Sequence, residues 1–249
     1  MVESTRPVAV VTGGSRGIGA AIVLRLARSG YDVVATYRVD SAAAAHVTAA
    51  APRDSRVEFV QADLETNEGV DAPFLIARER FNRLDALVNN AGISTRYAAL
   101  ADTPTDEVRR TITVNFTAAV LSAQWAVREF LRLGTHGTIV NITSGAATLG
   151  SPGEYVHYAA AKAGLDAFTM GLGKEVGQHG IRVVGLAPGL VSTDLHATTG
   201  DPERPVRMAA DIPLRRAAEP DEIATTVHWL LSPDASYITA TTLRVAGGR

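Results

Sequence analysis

The 249-residue chain contains no cysteine, which removes disulfides, thiolate catalysis and cysteine-bound metal from consideration. It has no excess of one charge. The net is −2, with acids and bases interspersed, so no basic footprint points to nucleic acid. No apolar run approaches the roughly eighteen residues of a membrane span, and the start, MVESTRPVAVV, lacks the long apolar run of a secretion signal. The expectation is a soluble, cytoplasmic protein with neither nucleic acid nor membrane as partner. Internal repeats, linkers and low-complexity tracts are also missing. What is present, 46% hydrophobic and 20% charged residues, suits one large α/β domain covering 1–249.

Short apolar, β-branched runs alternate with helical patterns along the chain. Val8–Val11 reads as a buried strand, followed by Thr12-Gly13-Gly14-Ser15-Arg16-Gly17-Ile18-Gly19 and an apolar-periodic helix from Ile22 to Ala27 that stops at Ser29-Gly30. Strand, glycine turn and helix open a nucleotide-binding βαβ unit: glycines admit a pyrophosphate, and free N–H groups at the helix start bind its charge. Further strands are expected at Asp32–Tyr37, Val57–Gln61, Asp85–Val88, Thr138–Thr143, Ile181–Leu186 and Thr241–Val245, with Ala187-Pro188-Gly189 breaking the sixth. Helices are expected from Ser41, through Phe74 towards Phe81, from about Thr105 to Leu133 with an irregularity near Asn115, from Tyr158 to His179-Gly180, and from Pro220 through Leu231. Such alternation implies a parallel sheet covered on both faces. The stretch 193–213, rich in glycine, proline and polar residues, reads as a flap with short helical pieces.

The chemistry concentrates at Ser144–Lys162. A strand ends near Ser144, a Gly/Ser/Pro loop follows, and Tyr158-Ala159-Ala160-Ala161-Lys162 opens a helix. Residues four apart share a helix face, about 6 Å apart along the axis, so Tyr158 and Lys162 point the same way. A cation about 4 Å from a phenol at an effective dielectric of ~20 favours the phenolate by up to ~4 kcal/mol. That is roughly three pKa units before desolvation pushes back, enough for a general acid or base near neutral pH.

With Asn89-Asn90-Ala91-Gly92, Asn115, Ser144, Tyr158-x-x-x-Lys162 and Pro188-Gly189 in this order after the glycine turn, the chain resembles the short-chain dehydrogenase/reductase family. The resemblance runs from Val8 to Gly248 and favours the carbonyl (3-oxoacyl-type) reductase branch. It implies a single α/β Rossmann fold with a seven-stranded parallel, doubly wound sheet, a nicotinamide cofactor, and oxidoreductase chemistry on CH–OH or C=O groups. By the same resemblance Tyr158 exchanges the proton, Lys162 lowers its pKa and holds the nicotinamide ribose, and Ser144 bonds the substrate oxygen. Asn115 orders a water leading away from the lysine; the alternative is a buried amide tying two helices together. The cofactor would lie against Gly13, Ser15, Arg16, Gly17, Ile18, Gly19, Tyr37, Arg38, Asp63, Leu64, Asn90, Ala91, Gly92, Tyr158, Lys162, Pro188, Gly189, Val191 and Thr193. Asn89 is expected to prop the central strand instead. For Thr193 the alternative is a cap on the flap helix, and no metal is expected.

Where members of the family that prefer NAD carry an acid at the end of strand two, this chain has Tyr37 and Arg38, with Arg16 nearby. Two guanidinium groups with no carboxylate between them favour the 2′-phosphate of NADP(H); Asp40 lies three residues past the expected acid. Tyr155 stands seven residues before Lys162, the spacing of the enoyl reductases, and could meet the lysine only from outside the helix. It is read as a pocket wall, and His157 and His196 as pocket or surface residues. Competing functions are an NAD-dependent sugar or polyol dehydrogenase on the same site and a non-catalytic dinucleotide sensor. Substrate choice is assigned to Arg96, Tyr97 and the flap residues Leu195, His196, Arg204, Arg207 and Met208. The stripe Ala159, Ala163, Ala167, Gly171 permits close helix approach, and with the resemblance implies a homotetramer or homodimer.

Overall fold

Val8–Val11 (β1) is completely buried on both faces, which requires a layer of helices on each side of the sheet. The computed structural model describes residues 6–193, 199, 201 and 203–249. The remaining strands are Asp32–Tyr37 (β2), Val57–Gln61 (β3), Ala86–Asn89 (β4), Thr138–Ile142 (β5), Arg182–Pro188 (β6) and Thr241–Val245 (β7). They form one seven-stranded sheet in the order β3-β2-β1-β4-β5-β6-β7, with every pair parallel. The chain runs outward from β1 to β3, then returns to β4 on the other side of β1. Loops at the carboxyl ends of β1 and β4 therefore diverge and leave a crevice, the usual ligand position in such sheets.

Alternating side chains divide the core. Ala9 and Val11 face Ile22, Val23 and Leu26 of Gly17–Arg28 (α1) and Ile223, Val227 and Leu230 of the helix Pro220–Leu231. Val8 and Val10 face the layer containing Phe74 and Phe81 of Asn67–Phe81 (α3) and Phe130 of Ala118–Leu133 (α5). Two-residue periodicity in the strands and a 3.6-residue period in the helices bring these sets together. Ser41–Ala50 (α2) is capped by the Asp40 carboxylate, which accepts from Ala43 N at 2.8 Å.

The expected irregularity near Asn115 is a wide turn. Thr105–Ile112 (α4) passes into a π-helical stretch, Thr113–Thr117, and then into α5. Three other expectations need correction. α1 and α3 begin earlier than their apolar periodicity suggested, at Gly17 and Asn67, because polar and glycine first turns show no hydrophobic period. β6 is not broken at Ala187; it continues through Pro188, paired with Val245. Proline lacks only a donor, and its carbonyl still accepts from Gly145 N at 2.8 Å.

The long helix Val156–Val176 (α7) follows the four-residue helix Ala146–Leu149 (α6). Buried amides fix α7 to the sheet: Asn89 Nδ2 donates to Asn141 Oδ1 (2.9 Å) and Ala119 O (3.0 Å), while Asn141 Nδ2 donates to Thr169 Oγ1 (2.9 Å). Asn89 thus ties β4 to β5 and α5, the propping role expected of it. The stretch expected to form a flap contains the short helix Arg204–Arg207 (α8) and a 3-10 turn at Ala209–Asp211, ahead of Pro220–Leu231 (α9). Leu195 and His196 lie outside the described residues. Among the described residues no helix is long and apolar enough to cross a membrane.

Candidate active site

A cleft of about 1010 Å³ opens along the carboxyl edge of the sheet. One end is shaped by backbone and hydroxyl groups. Thr12 Oγ1 accepts from Asn90 N (3.1 Å) and Ala91 N (3.0 Å), and Asn90 Nδ2 donates to the carbonyls of Thr12 and Gly13, each at 3.0 Å. Gly13 N donates to Thr36 Oγ1 (2.9 Å). Gly13 has φ +67°, and a Cβ there would lie 2.9 Å from Ala91 Cα, so only glycine allows β1 and β4 to approach this closely. At the start of α1, Arg16 makes no side-chain cap and the first turn holds no acid. Its N–H groups remain available to an anion.

Every cofactor residue named from the resemblance lines this cleft, together with Ser144; Asn115 does not. Asn115 is buried behind the cleft wall. Its Nδ2 donates to Ile93 O and Thr111 O (2.9 Å each), and its Oδ1 accepts from Ile93 N at 3.2 Å. These bonds tie the wide turn to the segment after β4, close to the buried-amide alternative. Gly92 makes room for the amide: a Cβ at this position would sit 2.8 Å from Asn115 Oδ1 and 3.6 Å from Lys162 Nζ.

At the far end, Ser144, Tyr158 and Lys162 come together. Ser144 lies close enough to the Tyr158 phenol to favour its ionised form, and Ser144 Oγ accepts from Ala146 N at 3.1 Å. Lys162 lies one helical turn beyond Tyr158, with Nζ 5.8 Å from the phenol ring centre and donating to Ile142 O at 2.9 Å. The electrostatics depart from the sequence-based expectation. Burial pushes the Tyr158 phenol up to about 12, partly offset by the nearby Ser144 hydroxyl. Burial likewise pulls Lys162 down to about 8, with Asp166 opposing the fall. Desolvation therefore dominates both groups, and Lys162 Nζ donates a hydrogen bond to the Ile142 carbonyl. The two groups hold their neutral forms more firmly than free side chains do.

The expectation of arginines without a carboxylate is also corrected. Glu65 lies 3.5 Å from Arg38 and 2.7 Å from Arg110. Three exposed or half-exposed groups thus carry one net positive charge, with Arg16 further along the cleft edge. Asp40, occupied as the α2 cap, also borders this end. Asp63 Oδ1 accepts from Glu65 N at 3.1 Å.

Tyr155 is the N-cap residue of α7, just outside the helix. Its ring meets Tyr158 edge-on at 5.2 Å and Tyr97 at 5.1 Å, forming a cleft wall as expected. His157 is buried away from the cleft, with Nε2 3.1 Å from Thr95 Oγ1. Among the described residues no group of three or more His, Asp or Glu could hold a metal ion. Sequence reasoning assigned no role to Thr36, Glu65 or Glu154. A threonine at a strand's carboxyl end was the available signal for the first, while the two acids carried none.

The geometry agrees with comparison to known proteins. The sequence model of a family described as Enoyl-(Acyl carrier protein) reductase matches residues 13–249. An uncharacterized oxidoreductase, YgfF, of Escherichia coli (strain K12) is 40% identical over 97% of this chain and 99% of its own. A 3-oxoacyl-[acyl-carrier-protein] reductase of Synechocystis is 38% identical over 100% of this chain and 98% of its own. A short-chain dehydrogenase/reductase from Serratia marcescens superposes with a TM-score of 0.88 at 32% identity, covering 97% of each chain. Members of this group are oxidoreductases that use NAD(P) cofactors. With its sheet order, its glycine turn and its Ser144–Tyr158–Lys162 cluster, the chain belongs to the short-chain dehydrogenase/reductase family.

Proposed function

We propose that the protein is an NADP(H)-dependent oxidoreductase interconverting a carbonyl and an alcohol, with Tyr158 as general acid/base. The observation that carries this reading is the Ser144–Tyr158–Lys162 cluster, sharing one cleft with a glycine turn whose α1 N–H groups are uncommitted. The glycine turn, Asp63, Leu64 and Asn90–Gly92 would hold the adenosine and diphosphate. Lys162 and the stretch from Pro188 to Thr193 would hold the nicotinamide end. The bound nicotinamide supplies the hydride. Tyr158 keeps its proton at neutral pH and can donate it to a carbonyl oxygen as negative charge develops there. Ser144, beside the same phenol, shares that charge. Asn115 braces the Ile93 segment above Lys162, and in this reading also orders the water beyond the lysine.

NADP(H) is favoured because Arg16 and Arg38 border the adenosine end, Arg110 shares the charge of Glu65 beside Arg38, and the Asp40 carboxylate is engaged in capping α2. An enoyl reductase is the second reading, favoured by the family description and by Tyr155 lying outside α7. Tyr155, however, packs on Tyr97, whereas Tyr158 is the tyrosine beside Ser144 and one turn from Lys162. The deciding experiment follows NADPH and NADH oxidation with a 3-oxoacyl thioester and its matching 2-enoyl thioester. Turnover of the oxo compound with NADPH supports the reading; preference for the enoyl compound or for NADH overturns the corresponding part. Binding of cofactor without turnover of any carbonyl or alcohol would leave a dinucleotide sensor. Met170 and Gly171 leave an exposed patch on α7, consistent with a homo-oligomer, which light scattering tests.

A further inference from the structure

Arg204, on the flap helix α8, is 5% exposed despite its charge. Its guanidinium makes a two-pronged pair with Glu154, Nη1 to Oε1 at 2.9 Å and Nη2 to Oε2 at 2.8 Å. The same group lies 4.6 Å from the Tyr97 ring centre and 6.0 Å from that of Tyr155. Glu154 is a junction, since its backbone carbonyl also accepts from Ala98 N at 2.9 Å. Arg204 therefore joins the flap to the segment after β4 and to the loop before α7. The later end of the flap has its own anchors: Ile212 is buried, and Leu214 N donates to Gly247 O at 3.1 Å.

We propose that Arg204 is a positioning and specificity-determining residue: clamped by Glu154 and stacked on Tyr97, it seats the Tyr97–Tyr155 wall against Tyr158 and makes that wall select carbonyl substrates with an uncharged group beside it. The selectivity rests on the hydride-transfer reading above. Selection follows from charge balance. Glu154 cancels the guanidinium, so the Tyr97–Tyr155 face offers rings and no net charge from this pair; a carboxylate placed against it would lose water and gain no cation from Arg204, while Arg96 and Arg244 border other parts of the cleft. Arginine suits the role because its planar fork can pair with a carboxylate and lie on an aromatic face at once, which an ammonium cannot do.

The test compares an aryl α-keto ester with its free α-keto acid, in the parent and in three variants. The parent should prefer the ester in kcat/KM by about tenfold or more. Glu154→Gln leaves the guanidinium uncompensated and should narrow that preference by about threefold or more; Arg204→Met leaves the carboxylate uncompensated and should widen it by a similar factor. Arg204→Lys keeps the charge but loses the fork and the stack, so KM for the ester should rise while the ester-to-acid ratio stays near the parent's. NADPH affinity, measured by fluorescence titration, should hold within about twofold throughout, whereas general destabilisation would move affinity and both ketones together. A ratio unmoved in both Glu154→Gln and Arg204→Met overturns the proposal. Amide hydrogen exchange across 203–212, measured without substrate, is independent of turnover. Faster exchange in Arg204→Met upholds the seating role even if neither ketone is reduced, a result that would count against the hydride-transfer reading instead. Unchanged exchange overturns the seating.

Discussion

The two ends of the cleft are built from different materials. At the adenosine end, backbone amides, two threonine hydroxyls and one asparagine lock three strand termini together through hydrogen bonds of 2.9–3.1 Å. Glycine is required there because main chain approaches main chain. At the proposed substrate end, side chains from three separate segments meet around Arg204, which pairs with Glu154 and lies over the Tyr97 ring. Backbone construction ties an end to one ligand shape, whereas side-chain construction can be rebuilt without disturbing the sheet. The first end suits a cofactor common to a family, and the second a substrate that differs between members.

Four changes probe this contrast, beginning at the junction of the two ends. Tyr158→Phe should lower kcat by about 10³-fold while the dissociation constant for NADPH stays within about twofold, as measured by steady-state kinetics and fluorescence titration. A variant with near-parent kcat would remove Tyr158 from the reaction. Lys162 comes next. A folded-state pKa near 8 against 10.5 for the ordinary side chain means that between these values the unfolded chain binds the extra proton. Stability should therefore rise as pH increases from 8 to 10.5 and be flat below 8, by up to about 3 kcal/mol. Urea titrations of the cofactor-free parent and of Lys162→Met should differ by this slope, which the variant lacks. Tyr158 acts oppositely, raised from 10 to about 12, so its contribution is lost as pH climbs through that higher window.

At the adenosine end, Arg16→Ala combined with Arg38→Ala should reduce kcat/KM for NADPH about tenfold and leave NADH within about twofold. Equal losses for both cofactors would show that the arginines do not read the 2′-phosphate. The smallest effect is expected for Asp40→Ala: about 1 kcal/mol of stability from the lost α2 cap, with cofactor preference unchanged. A swing in preference there would show the carboxylate acting on the ribose and not on Ala43 N.

The sheet was legible in the sequence because its central strands are apolar, β-branched runs bounded by glycine, proline or a polar turn, while the edge strands β3 and β7 mix apolar with polar residues. The glycine turn and the Tyr158–Lys162 pair were legible because their spacing has a geometric meaning on one turn or one helix. Asn115 was recognised by position and an irregularity was expected there, yet its bonds to Ile93 and Thr111 depend on the turn being π-helical, a form that no residue pattern specifies. The depressed lysine and raised phenol were missed since spacing reports proximity, while desolvation depends on what the rest of the chain packs around a group. Glu65 stands near Arg38 only after β2 and β3 align, so the sequence could not show that the arginine has a carboxylate neighbour. Glu154 and Arg204, fifty residues apart, meet by the same kind of tertiary accident of folding.

The wide turn at 113–117 makes the chain sensitive to counting as well as to chemistry. A π turn holds one residue more than its α-helical equivalent, so losing any single residue there could let α4 run straight into α5, with helical content nearly intact. Side chains on one flank would then rotate by about 100° relative to the other, and the Asn115 amide would swing away from Ile93. Such a deletion would unsettle the Ile93–Tyr97 stretch, and with it the aromatic wall, from a turn that reaches the cleft only through Val114. Length at this point is a functional quantity, separate from which residues fill it.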